Sequence, residues 1–384
     1  MPREALCGAR VHVAGKLVEG YCVVVENGRI AAIVAEAALH RSVRRRELAG
    51  GTLAAGFIDC QVNGGGGILF NDAPELEALE TIGAAHRRFG TTGFLPTIIS
   101  DDIEVVARAI DAVRSAIEDG VPGILGIHIE GPMLAPSRHG IHDPRFFRGA
   151  DRAMLELVAK PGPGRRLVTV APEIVGEAAI RELAANGVIV SVGHTEATYD
   201  EARKAFAAGV TGVTHLFNAM SGLVNRAPGV VGAALENQHA WCGIIVDGVH
   251  VHPAMLRVAL RCRPIDRFML VTDAMSPVGT EMRSFNLQGR EIQVGIDRCV
   301  DENGILAGSN LTMGQAVRNV VGLLELPLSD ALTMAAAAPA DFLGLRGRRG
   351  RIAVGEAADL VWLDEDVKVG ATWIGGEEYR EGEL

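Results

Sequence analysis

Ser191–Met220 reads S-V-G-H-T-E-A-T-Y-D-E-A-R-K-A-F-A-A-G-V-T-G-V-T-H-L-F-N-A-M. An apolar run, Val188 to Val192, ends in Gly193 and His194. A helical pattern follows, and Gly209 opens a second run, Val210 to Thr214, that ends at His215. This is strand, helix, strand, with one histidine at the C-terminal end of each strand. A right-handed crossover makes the two strands parallel in one sheet, so the two imidazoles converge on one edge. One histidine there would be read as closing its strand against backbone; two in repeated context favour a divalent metal.

The same alternation continues on both sides. Strand patterns fall at Phe57–Val62, Gly93–Ile99, Ile124–Ile129, Leu167–Val170, Val188–Val192, Val210–Leu216, Cys242–Val246 and Phe268–Val271. Helical patterns such as Pro74–Phe89 and Ile103–Glu118 separate them. Eight strands alternating with helices predict an α/β fold, a (β/α)8 TIM-like barrel, with a doubly wound open sheet as the alternative. Phe285 to Gly308 interrupts the pattern as a β-hairpin-like excursion, a lid or flap. Both chain ends are β-rich. Arg10–Val13, Tyr21–Glu26 and Arg29–Val34 lie at one end, the last two joined by the hairpin signal Asn27-Gly28. Arg351–Val354, Leu360–Leu363 and Gly370–Ile374 lie at the other. The chain is therefore expected to divide into 1–53 and 346–384, two parts of a small β-sandwich, around a metal-dependent barrel at 54–345.

Composition narrows the function. Hydrophobic residues make up 48% and charged residues 22%, which indicates a large buried core without a disordered tract. Aromatics are only 4%, so aliphatic side chains and alanine must fill that core. A net charge of −10, with only the short run Arg44-Arg45-Arg46, argues against nucleic acid. No apolar stretch approaches the roughly 18 residues that span a bilayer, and the N-terminus lacks a signal core. Six scattered cysteines without a C-x-x-C pair read as reduced, mostly buried thiols of a cytoplasmic protein.

Barrel chemistry sits at the C-terminal strand ends, and here those ends carry acids, amides and imidazoles. The first strand runs through Asp59, Gln61 and Asn63 into Gly64-Gly65-Gly66-Gly67, and the third ends in His128 and Glu130. The seventh ends in Asp247 to His250, and the eighth in Thr272-Asp273. Glu130 with His194 and His215 forms a two-histidine, one-carboxylate set with open positions, the ligand type of catalytic zinc sites. His128 reads as a residue of the layer beneath. Asp273 could accept a proton from water and hand it to a leaving group; its alternative reading is a helix N-cap. The glycine run lacks the G-K-[ST] of a phosphate loop and reads as a close-approach turn.

These pieces resemble the N-acetylglucosamine-6-phosphate deacetylases of the amidohydrolase superfamily. The matching text is G-F-I-D-C-Q-V-N-G (56–64), H-I-E-G-P (128–132), G-I-H-D-P (140–144), G-H-T (193–195), T-H-L-F-N-A-M (214–220), D-G-V-H (247–250) and L-V-T-D-A (270–274). The resemblance implies metal ligation by Glu130, His194 and His215, with Asp273 as general base and then acid. It implies that His142 polarises the acetamide carbonyl. Asn218, the Ala219 backbone, Arg226 and His250 would contact sugar and phosphate, and Leu306 would close over the ligand. It further implies a homodimer in which Arg226 reaches the neighbouring active site. Gln61 and Asn63 stand where many superfamily members carry H-x-H, so one divalent metal per subunit is expected. Zinc is the expected ion, with Fe2+, Co2+ and Mn2+ as alternatives. The expected activity is hydrolysis of N-acetyl-D-glucosamine 6-phosphate to glucosamine 6-phosphate and acetate. A nucleobase deaminase or cyclic-amide hydrolase would need neither Arg226 nor His142. A silent sugar-phosphate sensor would be expected to lack Asp273 or a metal ligand.

Overall fold

The computed structural model describes residues 3–295 and 298–379. An eight-stranded parallel sheet forms the centre: β1 (Phe57–Val62), β2 (Thr91–Ile99), β3 (Gly126–Glu130), β4 (Arg165–Val170), β5 (Ile189–Val192), β6 (Val210–Val213), β7 (Trp241–Ile244) and β8 (Phe268–Leu270). Neighbours in sequence are neighbours in the sheet, as right-handed crossovers require. Past its last paired residue, β8 closes the barrel onto β1. Val62 bridges Ala274 in parallel, and the Asp273 N–H donates to the Gln61 carbonyl at 3.0 Å. Closure selects the TIM-like barrel over the open sheet.

A helix follows each strand: Leu76–Arg87, Ile103–Glu118, Arg152–Ala159, Pro172–Ala185, Tyr199–Ala208, Gly229–Glu236, Pro253–Cys262 and Met313–Leu323. In Ile103–Glu118 the buried residues Val106, Ala109, Ile110, Val113 and Ala116 recur at helical spacing and face the sheet. Helix Tyr199–Ala208 is bounded by a Thr198/Glu201 capping box and by Gly209 at φ 127°. Those caps explain why the stretch around His194 and His215 is so legible. No helix among the described residues is long and apolar enough to cross a membrane.

The termini build two further sheets. Arg29–Ala35, Tyr21–Glu26, Glu4–Cys7 and Arg44–Glu47 form one. The other runs Glu377–Tyr379, Val369–Ile374, Leu360–Leu363, Thr52–Ala55, Arg10–Val13 and Lys16–Val18, interleaving both chain ends. Leu6, Val11, Val23, Ile30, Leu53, Leu360 and Trp373 share the core between them. The chain passes from this unit into β1 through Gly56, where a Cβ would lie 2.2 Å from the Thr92 side chain.

Three expectations change. Arg351–Val354 is not a strand: Ile352 is buried in the sandwich core, Val354 is 67% exposed, and the nearest pairing is the isolated Arg29–Ala357 bridge beyond it. The excursion has three short antiparallel strands, Ser284–Leu287, Arg290–Val294 and Cys299–Val300, rather than one hairpin; its residues 296 and 297 lie outside the described residues. The thiols are not all free. Cys7 and Cys22 form a disulfide, because pairing Leu6 with Val23 sets them opposite each other on adjacent strands. Cys60, Cys242 and Cys299 are free and buried, and Cys262 is free and exposed.

Candidate active site

At the C-terminal mouth of the barrel lies a cavity of about 480 Å³. Glu130, His142, His194, His215, Asn218, Ala219, His250, Asp273 and Leu306 all line it. Arg226 does not. It lies exposed in the turn between Val224 and Ala227, so the fold of one chain leaves it outside its own cavity.

Backbone strain marks the site. Of the ten non-glycine residues with positive φ among those described, five sit here: His194 at 47°, His215 at 28°, Phe217 at 81°, Ala219 at 46° and Asp273 at 53°. Such conformations are costly and persist only where the surroundings enforce them. The enforcement is visible. The Thr195 N–H donates to the Ala219 carbonyl at 3.1 Å, and the Ser221 N–H donates to the Thr195 carbonyl at 3.1 Å. The loops after β5 and β6 are thereby tied together, and His194 and His215 converge.

Three donor atoms form a compact triangle. The Nε2 atoms of His194 and His215 are 3.0 Å apart, and Glu130 Oε1 lies 3.4 Å and 3.1 Å from them. Ligands at about 2.0–2.1 Å from one tetrahedral ion would stand roughly 3.3 Å apart, so the set fits a divalent metal. The tautomer fits as well. His194 Nδ1–H donates to the Arg138 carbonyl at 2.9 Å, which leaves the Nε2 lone pair turned toward the triangle. Burial, the largest single influence, would raise the Glu130 carboxyl, but the neighbouring His194 and His215 hold it well below the usual carboxylate range.

Asp273 sits beside this triangle. Gln61 Nε2 donates to Asp273 Oδ1 at 3.1 Å and to Glu130 Oε1 at 3.0 Å, and Asn63 Nδ2 donates to the same Asp273 oxygen at 2.7 Å. Burial pushes the Asp273 carboxyl above the ordinary range, and the Glu130 charge adds to that. The N-cap reading of Asp273 fails, since the next helix begins at Met313. His142 is buried with its Nε2 4.0 Å from Glu130 Oε2. His250 is held by its own turn, its Nδ1 2.6 Å from Asp247 Oδ2, while Asp247 Oδ1 accepts from the Val249 and His250 N–H groups.

His128 lies beneath the mouth. Its Nε2 is 2.7 Å from Thr169 Oγ1, which continues to Thr214 at 2.7 Å and on to Ser191 at 2.8 Å. Burial lowers its pKa to about 4, so it is a neutral member of the layer below. Gly64 in the glycine run has Ile68 O 2.3 Å from where a Cβ would sit, the close approach expected of that turn. Sequence reasoning missed Arg138, which lines the cavity and holds His194, and Ser100, which touches His142. Arg138 stands two residues before the quoted G-I-H-D-P and was open to discovery. Ser100 is identified only by where β2 ends.

Residues 52–379 match the amidohydrolase family. An N-acetylgalactosamine-6-phosphate deacetylase from Shewanella sp. (strain ANA-3) is 45% identical over 379 residues, covering 98% of this chain and 96% of the relative. An N-acetylglucosamine-6-phosphate deacetylase from Haemophilus influenzae is 34% identical over 378 residues, covering 98% and 99%. The crystal structure of N-acetylglucosamine-6-phosphate deacetylase from Pasteurella multocida superposes with a TM-score of 0.95 at 34% identity, covering 98% of this chain and 99% of that one.

Proposed function

The chain belongs to the amidohydrolase family, and from that premise we propose that it is a metal-dependent deacetylase acting on N-acetyl-D-glucosamine 6-phosphate. The products are D-glucosamine 6-phosphate and acetate. One observation carries the reading: the Glu130, His194 and His215 triangle, Asp273 and His142 converge on one end of a single cavity. The cavity extends from there to Asn218, Ala219 and His250, which would receive the sugar and phosphate.

Glu130, His194 and His215 would hold one divalent ion, zinc by the chemistry of the donors. When bound, that ion acidifies water and acts as a Lewis acid toward the acetamide. Gln61 favours a single ion, because its amide hydrogens already serve both Glu130 and Asp273. Asp273 Oδ1 is engaged by two amides, so Oδ2 has the capacity to take the proton of the attacking water. As the water oxygen bonds to the carbonyl carbon, His142 donates from Nε2 to the developing oxyanion. Asp273 then returns the proton to the sugar nitrogen as the C–N bond breaks, and acetate leaves.

Arg226 would serve the phosphate of a partner subunit in a homodimer. Its turn also carries Leu223 and Val224, 53% and 58% exposed, which a subunit contact would cover. The expected compartment is the cytoplasm. A second reading rests on the 45% identical relative, whose name specifies the galactosamine epimer. Acetate release from the metal-loaded protein should be measured with both 6-phosphates and with both unphosphorylated sugars. Turnover should be far faster on the 6-phosphates than on the unphosphorylated sugars, and the ratio of the two kcat/KM values assigns the epimer. No release from either phosphate would overturn the proposal.

A further inference from the structure

We infer that Ser100 is a positioning residue that holds His142 with its proton on Nε2, and that Gln288 of the excursion holds Ser100 in place. The inference rests on the reading above, in which His142 donates a hydrogen bond to the substrate carbonyl.

A neutral imidazole has one N–H and one lone pair, and its partners decide which nitrogen carries which. Ser100 follows the last residue of β2 and is fully buried. Its backbone N–H donates to His142 Nδ1 at 3.3 Å, and its hydroxyl lies 2.9 Å from the same nitrogen. A backbone N–H can only donate, so Nδ1 supplies the lone pair and the proton resides on Nε2. The adjacent His194 ring, with its centroid 4.5 Å away, has the opposite assignment, because its Nδ1 faces the Arg138 carbonyl, which can only accept. Two backbone groups of opposite polarity thus divide two neighbouring imidazoles. His194 presents a lone pair to the cavity, and His142 presents a proton.

The excursion grips both sides of the Ser100–His142 contact. Gln288 forms the tip between Ser284–Leu287 and Arg290–Val294, with φ 50°. Its Nε2 donates to the Ser100 carbonyl at 2.8 Å, and Arg290 Nη1 donates to the Ile141 carbonyl at 3.4 Å. Ile99 and Ile141, the residues before Ser100 and His142, share a small apolar core with Phe285, Leu287, Ile292 and Cys299. This core is separate from that of the barrel. Further along, the same excursion brings Leu306 to the cavity. The segment that supplies a wall of the pocket therefore also fixes the donor at its base.

The test uses full-length, metal-loaded protein labelled with 15N-histidine, with the His142 resonances identified by their loss in His142→Gln. Wild type should show a protonated Nε2 and an unprotonated Nδ1. Gln288→Glu keeps the shape but removes the amide donor, and Ser100→Ala removes the hydroxyl while keeping the backbone N–H. Each should lower kcat by about three- to tenfold with KM within twofold and metal content unchanged. In each, the His142 signals should shift toward a mixture of tautomers. A wild-type proton on Nδ1, or variants that raise KM at constant kcat, would overturn the inference. If the protein turns over neither sugar phosphate while His142 keeps its proton on Nε2, the tautomer assignment stands and the deacetylase reading falls.

Discussion

Two groups of side chains meet at the mouth of the barrel, and they are held by different means. Glu130 ends β3, and His194, His215 and Asp273 lie two to three residues past their strands. Sheet pairing places them, and left-handed backbone aims three of the four. His142, His250 and Leu306 come from loops, as does Arg226, which lies outside the cavity. Each loop residue is as well placed as its local anchor: Asp247 for His250, Ser100 for His142, and none within this chain's cavity for Arg226. The difference teaches that strand-end chemistry belongs to the single chain, whereas loop chemistry depends on whatever the loop leans against.

The comparison can be broken most sharply at the strand ends. His215→Ala removes one corner of the donor triangle, so bound metal and turnover should vanish together while the fold persists. Elemental analysis and circular dichroism of the purified variant check this; full metal occupancy would refute the ligand assignment. Asp273→Asn preserves shape but cannot take the proton. Turnover should fall about 10²–10⁴-fold with metal content unchanged. A variant keeping a tenth of wild-type turnover would place the base elsewhere.

On the loop side, Arg226→Ala should raise KM for the phosphorylated sugar about ten- to a hundredfold. Hydrolysis of the unphosphorylated sugar should barely change. Mixing Arg226→Ala with Asp273→Asn protein should restore activity if the arginine works across a subunit boundary, because one site in each hybrid is intact. No recovery after verified subunit exchange would make its role internal to one chain.

The smallest effect concerns the anchor of the glycine turn. His86, fully buried on helix Leu76–Arg87, has its Nε2 2.8 Å from the Gly64 carbonyl, and burial lowers its pKa to about 4. An unfolded histidine titrates near 6.5. Between those values the unfolded chain binds the proton and the folded chain does not, so this contribution is intact above about pH 6.5 and is lost as pH falls toward 4. From pH 7 to pH 5 the loss is roughly 2 kcal/mol. Urea unfolding at the two pH values should show a smaller decline for His86→Gln than for wild type. Equal declines would mean that His86 is not neutral in the fold.

Local order made much of the barrel legible. Phe57–Val62 and Ile103–Glu118 match their observed bounds because apolar periodicity, caps and flanking turns coincide there. The donor triangle was legible too, since strand polarity alone sends Glu130, His194 and His215 to one edge. Arg351–Val354 misled for the opposite reason. Its residues alternate, but a strand needs a partner, and the neighbouring edge strand Arg29–Ala35 meets the chain only past this stretch, through Ile30 with Gly355 and Glu356 and the Arg29–Ala357 bridge. Cys7 and Cys22 could not be paired from spacing, because only the register of Glu4–Cys7 against Tyr21–Glu26 brings them together. The sequence by itself determined which side chains crowd the mouth of the barrel, because parallel strands share one polarity. Only the tertiary structure decided how they act, because the proton on an imidazole is set by whether a carbonyl or an N–H faces it, and the Arg138 carbonyl and the Ser100 N–H arrive from loops distant in sequence from the rings they hold.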